Sequence, residues 1–312
     1  IAPLAAQTRT SDNKGARLGA ACAYMIIAKC AMWNKEWNVA LDALKEIENI
    51  YGDFSQYDLE ENVLFRNKNT PESIMEIQHL YVQGGLHYTS NLACICTPSR
   101  KKVNGVALFD GVEIPELGDQ GTIWTSARPN VFFCQGLQTK MGKDKRKSLN
   151  MAWEYDGHPF SNVNTRPWMG PKFWCPNMQS SYDGNNYKIL RYADAILMMA
   201  ECYNELGDDA KSVEYLNKTR NRAGLADYVY RTSARLQDEI RNERARELFG
   251  EFQRKFDLVR WGIWYQAVLD YSDYQTLKDN VMTCREYYPI PDKEVVYSGY
   301  ALDNEEYKRC GL

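Results

Sequence analysis

Two carboxylates, Glu154 and Asp156, flank Tyr155 in the run Trp153–Glu154–Tyr155–Asp156, and by type they are the residues best suited to hydrolytic work. Glycoside hydrolysis needs two carboxyl groups roughly 5–9.5 Å apart across the scissile bond. Neighbours on one loop rarely achieve that, so the pair reads as non-catalytic. Cys94 and Cys96 form a lone C-x-C without a second pair at zinc spacing, and His79, His87 and His158 are scattered, so no metal site is expected. No P-loop, dinucleotide fingerprint or nucleophile elbow occurs. The expectation is a protein that is not an enzyme, with no catalytic residues and no cofactor.

Rings are the richer signal: 21 Tyr, 10 Phe and 8 Trp among 312 residues. Such side chains dominate core burial, and they also stack on flat ligands, so position has to decide. Trp124 follows Gly118–Asp119–Gln120–Gly121, a polar loop ill suited to a core. Trp153 and Tyr155 alternate around Glu154, and in an extended segment both rings point to one face, where they form a stacking platform. With Trp168, Tyr88 and Phe109 they make the candidate ligand-binding set. The competing reading is that these rings pin long loops to a scaffold.

The elements that would position them divide the chain in three. Over residues 1–81, Leu18, Cys22, Met25, Ile26, Lys29 and Cys30 recur at helical spacing, Asn34–Lys35 interrupts, and Trp37, Ala40, Leu41, Leu44 and Ile47 mark a second helix. Residues 82–186 carry Gly84–Gly85, Asp110–Gly111, Gly118, Gly121, Pro129, Pro159, Pro167, Pro171 and Pro176, so long helices cannot run through them. This predicts a loop-rich ligand-binding lobe, since long loops in compact proteins are usually functional. From 187 to 312 helical spacing returns: Ile189, Ala193, Ile196, Leu197, Ala200 and Tyr203, a break at Gly207–Asp208, then Val213 and Leu216.

Ala28 through Leu44 aligns with Ala200 through Leu216 without a gap, each copy a helix, a polar turn and a second helix. That is a tetratricopeptide-like unit. Two units are too few to stack alone, so other helices must complete the array. A further helical block is expected over about 236–260, with Leu248, Phe249, Phe252, Phe256 and Val259 as its apolar stripe. Its charged face pairs Glu243 with Arg246, Arg244 with Glu247 and Glu251 with Lys255, a solvated face or a brace between helices. The fold class is therefore mainly α, with helical repeats scaffolding an irregular lobe.

Charge and cysteines narrow the partners. The 38 basic and 41 acidic residues leave a net charge of -3, without the basic footprint of a nucleic-acid binder. The longest apolar stretch, Ala20–Ala28, is about nine residues, against the roughly 20 of a spanning helix. Among nine cysteines, Cys22, Cys30 and Cys202 read as buried thiols, and a disulfide framework is not expected in a chain able to bury its own core.

Leu190–Arg191–Tyr192–Ala193–Asp194 through Ala200–Glu201 resembles the most recognisable helix of the SusD/RagB family. The similarity continues in order through Asn217–Lys218–Thr219–Arg220–Asn221–Arg222–Ala223–Gly224, Glu243 to Glu251, Phe256 to Gly262, and Tyr288–Pro289–Ile290–Pro291 with Glu294. Upstream, Glu72 to Glu76 and Asp144–Lys145–Arg146 are similar to earlier family elements. The resemblance implies an outer-membrane lipoprotein on the cell surface of a Bacteroidota-type bacterium, anchored through a lipid on an N-terminal part not contained here. It implies that oligosaccharides, or peptides in the RagB branch, are handed to a SusC-like TonB-dependent transporter. Arg191 and Arg246 are read as helix braces and Gly224 as a left-handed cap. The rival from the repeats alone is an intracellular tetratricopeptide scaffold gripping peptide tails.

Overall fold

The computed structural model describes residues 15–82, 88–118, 128–130, 143–163, 166–176, 178 and 182–310. Trp124 lies outside them. The fold is mainly helical, as expected. Helix α1 (Ala20–Trp33) ends at Asn34, and Lys35 turns the chain with φ +60° into α2 (Trp37–Tyr51), which stops at Gly52 with φ +74°. A short α3 (Leu59–Val63), capped by the Asp58 carboxylate, leads to strand β1 (Ser73–Ile77).

The second helix pair repeats the first. Strand β9 (Tyr187–Arg191) runs directly into α6 (Tyr192–Glu205), and Gly207 and Asp208 turn the chain into α7 (Asp209–Arg222). The Asp208 side chain accepts from Lys211 N, and Gly224 at φ +78° supplies the left-handed cap anticipated from sequence. Helix α8 (Ser233–Glu247) follows, capped by Thr232. Helix α1 packs along α2, α2 along α6, and α6 along α7 and α8. One apolar cluster runs through this array, from Cys22 and Met25 through Leu41 and Leu44 to Ile196, Leu197, Leu216 and Ile240. Strands β1 and β9 pair antiparallel and stitch Glu72 and Ser73 to the start of α6.

Between β1 and β9 the chain is more regular than its glycines suggest. After α4 (Leu92–Cys96) come β2 (Arg100–Val103), β3 (Val106–Phe109) and β4 (Val112–Glu113), an antiparallel meander. Then follow α5 (Arg146–Asn150), β5 (Met151–Ala152), β6 (Glu154–Tyr155), β7 (His158–Pro159) and β8 (Trp168–Met169). Three hairpins turn on two residues each: Asn104–Gly105, Asp110–Gly111 and Asp156–Gly157, all at positive φ. This is the Asx–Gly turn whose twist matches that of paired strands. Within the lobe the glycines punctuate short hairpins as well as loops.

A compact unit extends through Glu251, and a second runs from Phe252 to Leu312, so the division falls inside the segment 187–312. The helical block expected over 236–260 is broken there. Gly250 and Phe252 adopt positive φ, and a Cβ on Gly250 would meet Phe173 Cζ at 2.3 Å. Phe252 and Phe256 are exposed, contrary to their place in the expected stripe.

The second unit holds α9 (Arg254–Arg260), α10 (Trp264–Tyr271), α11 (Gln275–Asn280), α12 (Asp292–Tyr297) and α13 (Glu305–Arg309). Among its described residues only Asp257 and Val259 are buried. A disulfide, Cys284–Cys310, ties it together, against the expectation from chain length. A segment that buries so little apolar surface is where a covalent staple matters. Cys22 and Cys202 are buried as expected, whereas Cys30 is exposed.

Candidate ligand-binding site

The charged face of α8 turns inward and fixes where the lobe sits. Glu243, Arg244, Arg246, Glu247 and Glu251 are all buried. Arg146, on the first turn of α5, donates to Asp144 (2.9 Å), Glu243 (2.7 Å) and Glu247 (3.0 Å). Arg191, at the end of β9, donates to Glu72 (2.8 Å), Glu247 (3.1 Å) and Glu251 (2.8 Å). Arg222 reaches Glu72 and Glu247, and Lys172 reaches Glu251. Burial alone would push the Glu247 and Glu243 carboxyls up. The surrounding guanidinium groups reverse this, holding Glu247 far below the usual carboxylate range and Glu243 at about 2. Each buried charge has partners, as burial demands. This is the brace.

The lobe has its own small core of Phe109, Val112, Ile114, Leu117, Ala152, Phe160, Trp168 and Trp174. Asp110 organises one side of it. Its carboxylate accepts from Trp168 Nε1 (2.8 Å) and Asn162 N (2.7 Å) and pairs with the Asn162 amide, while its carbonyl accepts from Ser161 N. The Arg128 guanidinium lies 3.6 Å from the Trp168 ring centroid and donates to the carbonyls of Asn162 and Arg166. Asp110→Ala is expected to cost about 1–3 kcal/mol, because it strands a buried indole N–H and removes a charged acceptor. Urea denaturation checks this, with an unchanged midpoint as the contrary result.

Placed in this frame, the candidate rings separate. Phe109 and Trp168 are 2% and 5% exposed, in the lobe core, with no face open to a solvent-borne ligand. The expectation of stacking at these two is corrected. Trp153 packs against Met151, Ala245 and Phe249, with Lys147 Nζ 5.6 Å from its ring, whereas Tyr155 packs on the lobe core, 6.2 Å from Trp174. The common platform for Trp153 and Tyr155 is not formed. A bend at Trp153 interrupts the strand, and the alternation that would align the two rings holds only in continuous extended chain. Glu154 and Asp156 are exposed, one on the strand and one in the turn of a single hairpin. Among the described residues no group of three His, Cys, Asp or Glu could hold a metal ion.

Tyr88 is different. It is 77% exposed and pairs backbone to backbone with Leu80, itself 53% exposed, through Leu80 N to Tyr88 O (2.7 Å) and the reciprocal bond (3.1 Å). Ser90 and Asp183 pair in the same way one step along, which brings Tyr182, 47% exposed, to the neighbouring segment. Sequence reasoning passed over Tyr182, Leu80 and Val82, and the Asn185–Asn186 pair that bolts this edge down was their signal. Asn186 Oδ1 accepts from His79 N, Asn185 O meets His79 Nδ1 at 2.9 Å, and Lys68 Nζ donates to His79 O. Asn69 and Gln78 exchange side-chain hydrogen bonds beside it. The result is an exposed apolar and aromatic edge on a framework of fixed amides. An exposed flat ring suits a ligand with apolar C–H faces.

A profile of the SusD family matches residues 118–307. The chain belongs to the SusD family. Among curated relatives, the SusD-like protein P25 of Formosa agariphila is 32% identical over 170 residues, 52% of this chain and 31% of its own length. The starch-binding protein SusD of Bacteroides thetaiotaomicron is 28% identical over 135 residues, 43% of this chain and 24% of its own. Among solved structures of SusD-type fold, surface glycan-binding protein A of B. thetaiotaomicron, in complex with laminarihexaose, superposes with a TM-score of 0.67 at 20% identity. It covers 92% of this chain and 64% of its own. A SusD homologue of the same species gives a TM-score of 0.69 at 19% identity, covering 90% and 62%. The chain thus spans under two thirds of the length of these relatives.

Proposed function

We propose that this protein binds oligosaccharides at the outer-membrane surface, without cleaving them, and passes them to a SusC-like TonB-dependent transporter. The observation that carries the reading is the exposed Leu80–Tyr88 pair, held by reciprocal backbone bonds on an amide-bolted edge. A backbone held in advance presents the ring to a sugar without the cost of ordering the chain. Two relatives named for starch and for a bound laminarihexaose support the ligand class. Trp124 joins Tyr88 as a proposed stacking ring on the grounds of its polar loop; Trp153 and Tyr155, each only half-buried, are proposed as flanking contacts.

Isothermal titration with laminari- and malto-oligosaccharides tests this. Tyr88→Ala is expected to weaken binding by about 1–3 kcal/mol, on the scale of stacking against a flat ring, while the melting temperature holds. A parent protein that ignores every glycan tried but binds peptides would overturn the carbohydrate reading. Unchanged affinity in Tyr88→Ala would move the site off this edge.

A further inference from the structure

Arg128 is held by one ring and two carbonyls, none of them charged. Its guanidinium lies 3.6 Å from the Trp168 ring centroid, and Nη1 donates to the carbonyls of both Asn162 and Arg166. The side chain is half-buried, and among the described residues no carboxylate forms an ion pair with it. Asp110 is the carboxylate whose charge acts on it. Both Asp110 oxygens, however, are engaged by Trp168 Nε1 and by the backbone and side-chain amides of Asn162. Burial disfavours the Arg128 charge, Asp110 in part offsets this, and Arg166 disfavours it again. A cation drawn out of water ordinarily pairs with an anion.

The shape of the fork shows which part is left over. A guanidinium is planar with five N–H donors, and Nε with Nη2 forms one edge of it. That edge matches two oxygens of a carboxylate or a sulfate, each accepting one N–H. Here Nη1 makes both protein bonds, so Nε and Nη2 make none among the described residues. The Trp168 indole backs one face of the group, and Asp110 in turn holds that indole. The fork is therefore in place before any ligand arrives. Arg166 adds a second positive charge close enough to act on it, and a bound anion relieves that repulsion.

We propose that the Nε–Nη2 edge of Arg128 binds an acidic substituent, carboxylate or sulfate, of a glycan. The proposal takes from the reading above that the ligand is an oligosaccharide, and takes nothing from the Leu80–Tyr88 edge.

Titration calorimetry on the whole chain with matched probes tests it. The probes are trigalacturonate and its methyl ester, a sulfated carrageenan tetrasaccharide and its desulfated form, laminarihexaose, and inorganic sulfate. At least one acidic glycan is expected to bind at least about ten-fold more tightly than its neutral match, the order for a hydrogen bond to a charged group. Arg128→Lys keeps the charge but not the fork, and should remove most of that preference. Should this variant fail to fold, the parent decides: the acidic glycan should slow phenylglyoxal modification of the Arg128 peptide, and its neutral match should not. Acidic and neutral partners bound alike, or a preference unchanged in Arg128→Lys, would overturn the proposal. Inorganic sulfate protecting Arg128 where no acidic glycan does would assign the edge to a free anion and overturn it too. Laminarihexaose bound while both acidic glycans are refused would sink this inference and leave the oligosaccharide reading standing. Refusal of every glycan would sink both.

Discussion

Glu247→Ala is expected to lower the folding free energy by about 3–5 kcal/mol, the range for breaking a buried ion pair by removing one partner. Glu247 is 1% exposed and takes hydrogen bonds from Arg146, Arg191 and Arg222. Removing it leaves three guanidinium groups in a dry interior with Glu72, Glu243, Glu251 and Asp144 to share among them. Urea denaturation reads the loss directly. Lys211→Ala, which breaks a pair with both side chains about half exposed, serves as the comparison. That variant should lose no more than about 1 kcal/mol, since exposed pairs contribute little. Comparable losses in the two variants would show that the interior brace carries no special weight.

The second large effect is acid sensitivity, and its direction follows from the same groups. Glu243 titrates at about 2 in the folded protein against 4.5 for the ordinary carboxyl, and Glu247, Asp194, Glu76 and Glu251 are lowered too. A depressed folded-state pKa means that the unfolded chain takes up protons first. The stabilisation is therefore fully present above about pH 5 and is lost as pH falls through the folded values. For Glu243 alone the span from 4.5 to about 2 corresponds to roughly 3 kcal/mol. Stability measured by urea titration should be flat from pH 7 to about pH 5 and fall steeply between about pH 4.5 and 2. A midpoint that stays level down to pH 3 would contradict it.

The two helix pairs were legible because apolar spacing is a local property. Met25, Leu41, Leu44, Ile196 and Leu216 announce their burial by their own neighbours. The hairpins were legible too, in Asn104–Gly105, Asp110–Gly111 and Asp156–Gly157, yet a reading that treats every glycine as a loop mark passes over them. The charged face of α8 could not be resolved from one helix. Three- and four-residue spacing is the same on a wet face and a dry one, and Glu243 and Glu247 owe their burial to Arg146 about a hundred residues upstream. The candidate rings separate for the same reason. Nothing near Trp168 in sequence says that Asp110, 58 residues away, receives its N–H, and nothing near Tyr88 says that its partner strand leaves it in water.

The brace also dictates an order of events. Its members are spread along the chain at Glu72, Asp144, Arg146, Arg191, Arg222 and Glu247, with Arg191 and Glu72 separated by 119 positions and Arg146 and Glu247 by 101. A growing chain cannot close it before Glu251 has been made. Until then Arg146, Arg191 and Arg222 lack the Glu247 carboxylate that all three share. Contacts of such long separation fold slowly, because loop entropy is lost before any contact rewards it. The α5 and β9 arginines therefore find their full set of partners only once the eighth helix has been made.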